Sequence, residues 1–325
     1  MESQVLLPIE VMGGEGTQVG VALSLTNEQA ASTRHLWLQT HNIRYPEKAS
    51  LRINGGAWVP LNNTSATMLG TSQTYGGIGG SFAVLKMTLP ISSDLLVAGS
   101  NTITFRFNVS NGLAVGYRIV NLNLLDASGI QLLPSSAFTH EDPASWLPPS
   151  SAPADIAAGE TLWRNANLVA SYRSGAPSLQ AKCSTCHFQD GADLKYFSYS
   201  NHAIIERSKF HGLSATQGSQ IASYIRNLAV KKAGRPWNPP YQPGPGLTDK
   251  PNDEWLAGAG IDNVLDDDSD TLLALFPNGV RRDVLMEGDT NKFKRFSSHD
   301  TPLSFQLPDW NHWLPEIHPV DATPS

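Results

Sequence analysis

Cys183-Ser184-Thr185-Cys186-His187 is the stretch on which the reading of this chain turns. Two thiols three positions apart can each add across a vinyl group of haem. The imidazole that follows is then held beneath the ring as the proximal iron ligand. Cys-x-x-Cys-His is the attachment signature of c-type haem. These are the only two cysteines among 325 residues, so none is left for a disulfide, a second haem or a four-cysteine zinc site. The rival for a bare Cys-x-x-Cys is a thioredoxin-like redox pair, and His187 argues against it. The pattern implies one haem c, tethered by Cys183 and Cys186 and ligated by His187.

Upstream of the motif, Asp155 opens a helical pattern in which Ile156, Gly159, Leu162 and Trp163 recur at three- and four-residue spacing. Downstream, Ser214-Ala215-Thr216-Gln217 is a capping box that opens a helix with Ile221, Tyr224, Ile225 and Leu228 on one face. A helix with a glycine and an aromatic, then Cys-x-x-Cys-His, then a last helix with a mid-face tyrosine resembles the class I cytochrome c family. The resemblance covers roughly residues 155–230. It implies that the first and last helices cross at a glycine–aromatic contact, with Gly159 and Leu162 or Trp163 meeting Tyr224. One departure is the distance from Trp163 to Cys183, longer than in most family members. An insertion around Tyr172 to Pro177 would account for it.

The second axial ligand departs from the family as well. The resemblance implies a methionine just before the last helix, yet no methionine lies between Met87 and Met286. Two histidines fall in that region. His211, in Lys209-Phe210-His211-Gly212-Leu213, stands immediately ahead of the capping box and is the favoured sixth ligand; His202 and Met286 are the alternatives, and an open position is a further one. Two imidazoles give a lower potential than His/Met ligation, whereas an open position admits peroxide or oxygen and makes an enzyme of a carrier. The expected function is single-electron transfer through a haem edge to an unidentified redox partner protein, with the protein setting potential and access. A haem enzyme, or the electron-entry module of an oxidoreductase, is the alternative. A carbohydrate-binding module with a structural haem is the second.

From residue 1 to about 140 the pattern is short alternating runs broken by turns. Thr102 to Asn108 places Ile103, Phe105 and Phe107 on one face; Phe82 to Leu89 and Gly116 to Asp126 read as further strands. Ala49 to Pro60 reads as a hairpin turning at Asn54-Gly55-Gly56. The spacing predicts a β-sandwich. Ala98-Gly99-Ser100-Asn101-Thr102-Ile103 resembles the "G-x-N-x-I/L" run of galactose-binding-like jelly rolls, which implies a jelly-roll-like fold and carbohydrate as a candidate ligand. Trp37, Trp58 and Tyr75 are the aromatics available to stack on a sugar, with core packing the alternative for each. His35 and His41 read as structural histidines.

Between Glu141 and Pro153 the composition shifts to Asp-Pro, Leu-Pro-Pro-Ser-Ser and Ala-Pro, a linker pattern. Beyond residue 231, the Pro- and aromatic-rich run from Arg235 to Gly246 fits neither a helix nor a central strand. Asp266 to Asp270 reads as a solvated acidic face rather than a calcium loop. Two Trp, two His and two acids crowd between Asp309 and His318. A net charge of −6 with no dominant Lys/Arg block gives no support for a nucleic-acid partner, and no apolar run is long enough for a membrane span. Residues 1–25 show no leader. Covalent haem attachment takes place outside the bacterial cytoplasm, so the expectation is a periplasmic or extracellular protein whose leader has been removed. The predicted architecture is multidomain, all-β then all-α. It has a jelly-roll-like β-sandwich (1–140), a Pro-rich linker (141–154), a small helical cytochrome c domain (155–230) and an irregular extension (231–325).

Overall fold

In the computed structural model, the described residues are 4–229 apart from 75, 81–83, 93, 143–144, 188–189 and 197–198. The chain divides into two compact units, with the boundary between Glu141 and Asp142. The first is sheet-rich. Its strands are β1 (Val5–Leu7), β2 (Ile9–Met12), β3 (Gln18–Leu25), β4 (His35–His41), β5 (Ala49–Ile53), β6 (Val59–Pro60), β7 (Thr67–Met68), β8 (Val84–Pro90), β9 (Gly99–Phe107), β10 (Gly116–Leu125) and β11 (Phe138–His140). Two short helices, α1 (Asn27–Ser32) and α2 (Thr71–Thr74), interrupt them.

The strands form an antiparallel sheet ordered β2-β10-β4-β8-β7, another ordered β3-β9-β5-β6, and a parallel β1-β11 pair. Alternation decides which face each sheet buries. Ile103, Phe105 and Phe107 of β9 are fully enclosed, as are Leu36 and Leu38 of β4 and Met87 of β8. The β5–β6 hairpin turns where the sequence predicts. Asn54 and Gly55 have φ of 47° and 76°, and the Gly56 amide donates to the Ile53 carbonyl at 2.8 Å. Positive φ at both central residues matches the right-handed twist of the strands, and Asn-Gly tolerates it with least strain.

Asn101, the asparagine of the Gly99-Ser100-Asn101 run, is 1% exposed and fully engaged. Its Oδ1 accepts from the Val97 amide at 2.9 Å and from Asn54 Nδ2 at 2.8 Å. Its Nδ2 donates to the Val97 and Gly99 carbonyls at 2.7 and 3.1 Å. The residue pins the loop that enters β9 to the β5–β6 turn.

The second unit is helical over its described part: α3 (Pro153–Asn165), α4 (Cys183–Cys186), α5 (Ala192–Tyr196), α6 (Asn201–Phe210) and α7 (Ala215–Asn227). Proline at the first turn, Asp155 after it and Arg164 in the last turn suit α3 to the helix dipole. The α7 capping box forms as its sequence predicts: Ser214 Oγ accepts from the Gln217 amide at 3.1 Å and Gln217 Oε1 from the Ser214 amide at 2.9 Å. The Pro-rich segment ahead of α3, which reads as a linker, is tied to these helices. Asn201 Nδ2 donates to the Leu147 carbonyl at 2.8 Å, the Ser150 amide to Ser223 Oγ at 2.9 Å, and Arg226 lies 4.9 Å over the Trp146 ring. Between α3 and α4 the chain makes a small hairpin, with Ala170 N to the Pro177 carbonyl at 2.9 Å and Leu179 N to the Leu168 carbonyl at 2.7 Å. Among the described residues no helix is long and apolar enough to cross a membrane.

Asn101→Ala removes the Asn101 side of four hydrogen bonds and leaves their partners on Val97, Gly99 and Asn54 unmatched. It is expected to destabilise the first unit by roughly 2–3 kcal/mol, read as a lowered urea midpoint in its β-sheet circular dichroism. A loss below about 0.5 kcal/mol would show that the loop holds without it.

Candidate functional site

The helical unit is built around the crossing of α3 and α7. A Cβ at Gly159 would stand 2.0 Å from the Gln220 carbonyl oxygen and 2.8 Å from Tyr224 Cβ. Only glycine permits this approach, and Tyr224 is the residue that the resemblance pairs with it. Asp155 fastens the start of α3 to α7, accepting from Gln220 Nε2 at 3.1 Å and from Ser150 Oγ at 2.5 Å; these bonds hold its carboxyl below the usual range. One turn beyond Gly159, Trp163 is 2% exposed and packs with Leu194, Ile204, Ile221 and Ile225.

Trp163 positions the motif. Its ring lies 5.6 Å from that of His187, tilted by 44°. Gly191, at φ 78°, returns the chain against the other side of this contact. A Cβ there would be 2.3 Å from Ile225 Cδ1 and 3.0 Å from Trp163. Between these supports, α4 is a single turn. Lys182 N donates to Thr185 Oγ1 at 3.0 Å, and its Nζ to Asn167 Oδ1 at 2.8 Å. The His187 amide closes the turn on the Cys183 carbonyl at 3.0 Å, and the backbone then leaves in extended conformation (φ −112°, ψ 176°). Residues three apart on one helical turn face the same side, so both thiols are presented together beside the imidazole.

The two cysteines are free and partly buried. Burial pushes the Cys183 thiol up to about 12 and raises Cys186 as well. A thioredoxin-like pair depends on a lowered thiol pKa; this environment does the reverse. Cys183 packs against two apolar clusters at once, that of Trp163 and a second of Ala166, Leu168, Ala170 and Leu179. Leu162 and Leu213 also belong to both.

Leu213 brings in the segment that carries His211. His211 ends α6, and its backbone exchanges with Val169 of the small hairpin: the Val169 amide donates to the His211 carbonyl at 3.0 Å. The imidazole Nδ1 lies 2.9 Å from the Val169 carbonyl oxygen. A carbonyl can only accept, so Nδ1 carries a proton; when the ring is neutral, its lone pair is then on Nε2. A bond of this kind fixes the tautomer of a histidine. His202, by contrast, is exposed in the first turn of α6. Met286 lies outside the described residues, as do the Pro/Trp-rich run and the Asp309–His318 cluster.

No group of three or more His, Cys, Asp or Glu side chains gathers to hold a bare metal ion among the described residues. What α4 presents is two protonated thiols on one turn and a following imidazole braced by an indole; His211 stands at the end of α6 with its Nδ1 on the Val169 carbonyl. Sequence reasoning missed two supports, Val169 and Gly191. Val169 acts through its carbonyl, which any residue supplies. Gly191 in Asp190-Gly191 carries a turn signal, but its role against Trp163 depends on long-range packing.

In the first unit, Asn101 has no polar capacity left for a ligand, Trp37 is half-buried on β4, and Tyr75 lies outside the described residues. Trp58 is half-buried and stacked on arginines.

Gly159→Ala raises intrinsic helix propensity by about 1 kcal/mol but drives a methyl into the α7 backbone. The net expectation is a loss of roughly 3 kcal/mol in the urea-induced loss of helical circular dichroism; a gain would disprove the crossing. In haem-free protein, Cys183 at a pKa of about 12 leaves on the order of one thiolate in ten thousand at pH 8. Iodoacetamide should therefore modify it at least a hundredfold more slowly than free cysteine, with the rate still climbing above pH 10; a plateau by pH 9 would contradict the burial. No protein-family model matches this chain, and no curated protein or solved structure matches it either.

Proposed function

We propose that the helical unit is a cytochrome c-like domain of the class I type that binds one haem c and passes single electrons, and that the sheet-rich unit is a jelly-roll-like sandwich attached to it. The observation that carries this reading is the presentation of two protonated, uncrosslinked thiols on a single helical turn that ends at His187. When bound, haem supplies one-electron redox chemistry. Cys183 and Cys186 would tether it, and His187, braced by Trp163, would ligate the iron. His211, whose Nδ1 is oriented on the Val169 carbonyl, would supply a second imidazole through Nε2. Two imidazoles favour a low potential, and a filled sixth position favours carrier over enzyme. Covalent attachment implies a periplasmic or extracellular location, and a redox protein as partner.

The absorption spectrum tests these assignments. Protein produced with haem-attachment machinery should keep its haem in acidic organic solvent and show a low-spin oxidised spectrum lacking a sulfur-to-iron charge-transfer band. Cys183→Ala combined with Cys186→Ala should release the haem to the solvent. His211→Ala should convert the iron to high spin, while His202→Ala leaves it low-spin. Haem that extracts from the unaltered protein would overturn attachment. A high-spin unaltered protein would overturn the carrier reading, and a His211→Ala spectrum that stays low-spin would move the ligand elsewhere.

A further inference from the structure

The outward face of the β3-β9-β5-β6 sheet carries two arginines with no acidic partner among the described residues. Ser50 of β5 pairs with Arg106 of β9, and Arg52 with Thr104, so the two arginines are diagonal neighbours on adjacent strands. The alternation that buries Leu51, Ile53, Phe105 and Phe107 turns both guanidiniums away from the core. Trp58, immediately before β6, lies over both, 4.6 Å from the Arg52 guanidinium and 4.2 Å from that of Arg106. Arg106 Nε donates to Asn108 Oδ1 at 2.7 Å, which also accepts from Ser50 Oγ at 2.8 Å. Among the described residues neither arginine pairs with a carboxylate. Two like charges side by side on a sheet repel. Stacking on one indole relieves this only in part. Beside the pair, β3 and β9 expose Gly20, Ala22 and Thr102, a floor of small side chains with open access.

We propose that this face binds an acidic saccharide. The carboxylate of a uronic acid residue accepts from the terminal N–H groups of Arg52 and Arg106, a fork geometry suited to carboxylate. The apolar face of the sugar ring stacks on Trp58, and the neighbouring residues of the chain run over the small-residue floor. The arginine pair selects the charge, the indole selects the ring, and both are needed together. This site is independent of the haem reading and involves no residue of the helical unit.

Calorimetry on the full chain tests the proposal with tetramers of galacturonate, mannuronate and guluronate, with fully methyl-esterified tetragalacturonate, and with sodium acetate. At least one acidic tetramer should bind saturably and change the tryptophan fluorescence. Its methyl ester should bind at least tenfold more weakly, and acetate should fail to compete at the same carboxylate concentration. Arg52→Lys keeps the charge beneath Trp58 while removing the fork, and should weaken binding at least tenfold; Trp58→Ala should do the same, with the thermal midpoint of each within a few degrees of the unaltered protein. No binding by any acidic tetramer overturns the proposal. So does an ester that binds as well as the acid, or acetate that competes equally. These comparisons use the unaltered protein, so a variant that fails to fold does not decide the matter.

Discussion

The close approach of α3 to α7 at Gly159 is the constraint on which the helical unit depends. With a side chain there, the Gln220 carbonyl would be displaced and the helices would separate. Trp163, one turn along α3, would then lose the depth that seals it among Ile204, Ile221 and Ile225. Everything around the motif is referred to that indole: the His187 ring rests beside it, and Gly191 folds the chain back upon it. A contact between two backbones thus fixes the direction of an imidazole some thirty residues away in sequence, because close-packed interiors transmit displacement rather than absorb it.

On the proposed haem reading, the hairpin between α3 and α4 gives a physical reason for a histidine where the resemblance implies a methionine. An imidazole needs an acceptor for one nitrogen before the other is presented in a single tautomer, a requirement that a thioether lacks. The extra chain between Trp163 and Cys183 supplies that acceptor, since it carries the Val169 carbonyl to His211 Nδ1. It also braces the end of α6: Tyr172 donates to the Glu206 carbonyl and meets Phe210 edge-on at 5.0 Å, and Phe210 in turn meets His211 edge-on at 5.0 Å. The added segment and the changed residue therefore belong to one arrangement.

Local features were legible in the sequence because local chemistry decides them. The Ser214–Gln217 capping box, the Asn54-Gly55 turn and the alternation of Ile103, Phe105 and Phe107 each follow from neighbours in sequence. The pairing of Gly159 with Tyr224 was legible through a resemblance, not through spacing alone. What stayed hidden was whatever acts through backbone or at long range. The Val169 carbonyl has no residue signature, and the Pro-rich segment reads as linker because proline cannot reveal that Leu147 and Ser150 dock on α6 and α7. The tie of Asn101 to Asn54 joins residues distant in sequence, so the run by itself does not reveal it.

Saturation of polar groups separates structure from site throughout the chain. Asn101 has both side-chain atoms doubly engaged, and Asp155 accepts from two partners; both residues hold elements together and leave little for anything else. His211 uses one ring nitrogen for orientation, which leaves the other defined in protonation. Arg52 and Arg106 pair with no carboxylate among the described residues, and Trp58 lies over both guanidiniums. On the proposed saccharide reading, their terminal N–H groups are the donors that stay available for an anionic ligand, whereas Asn101 and Asp155 have spent their polar atoms on the fold.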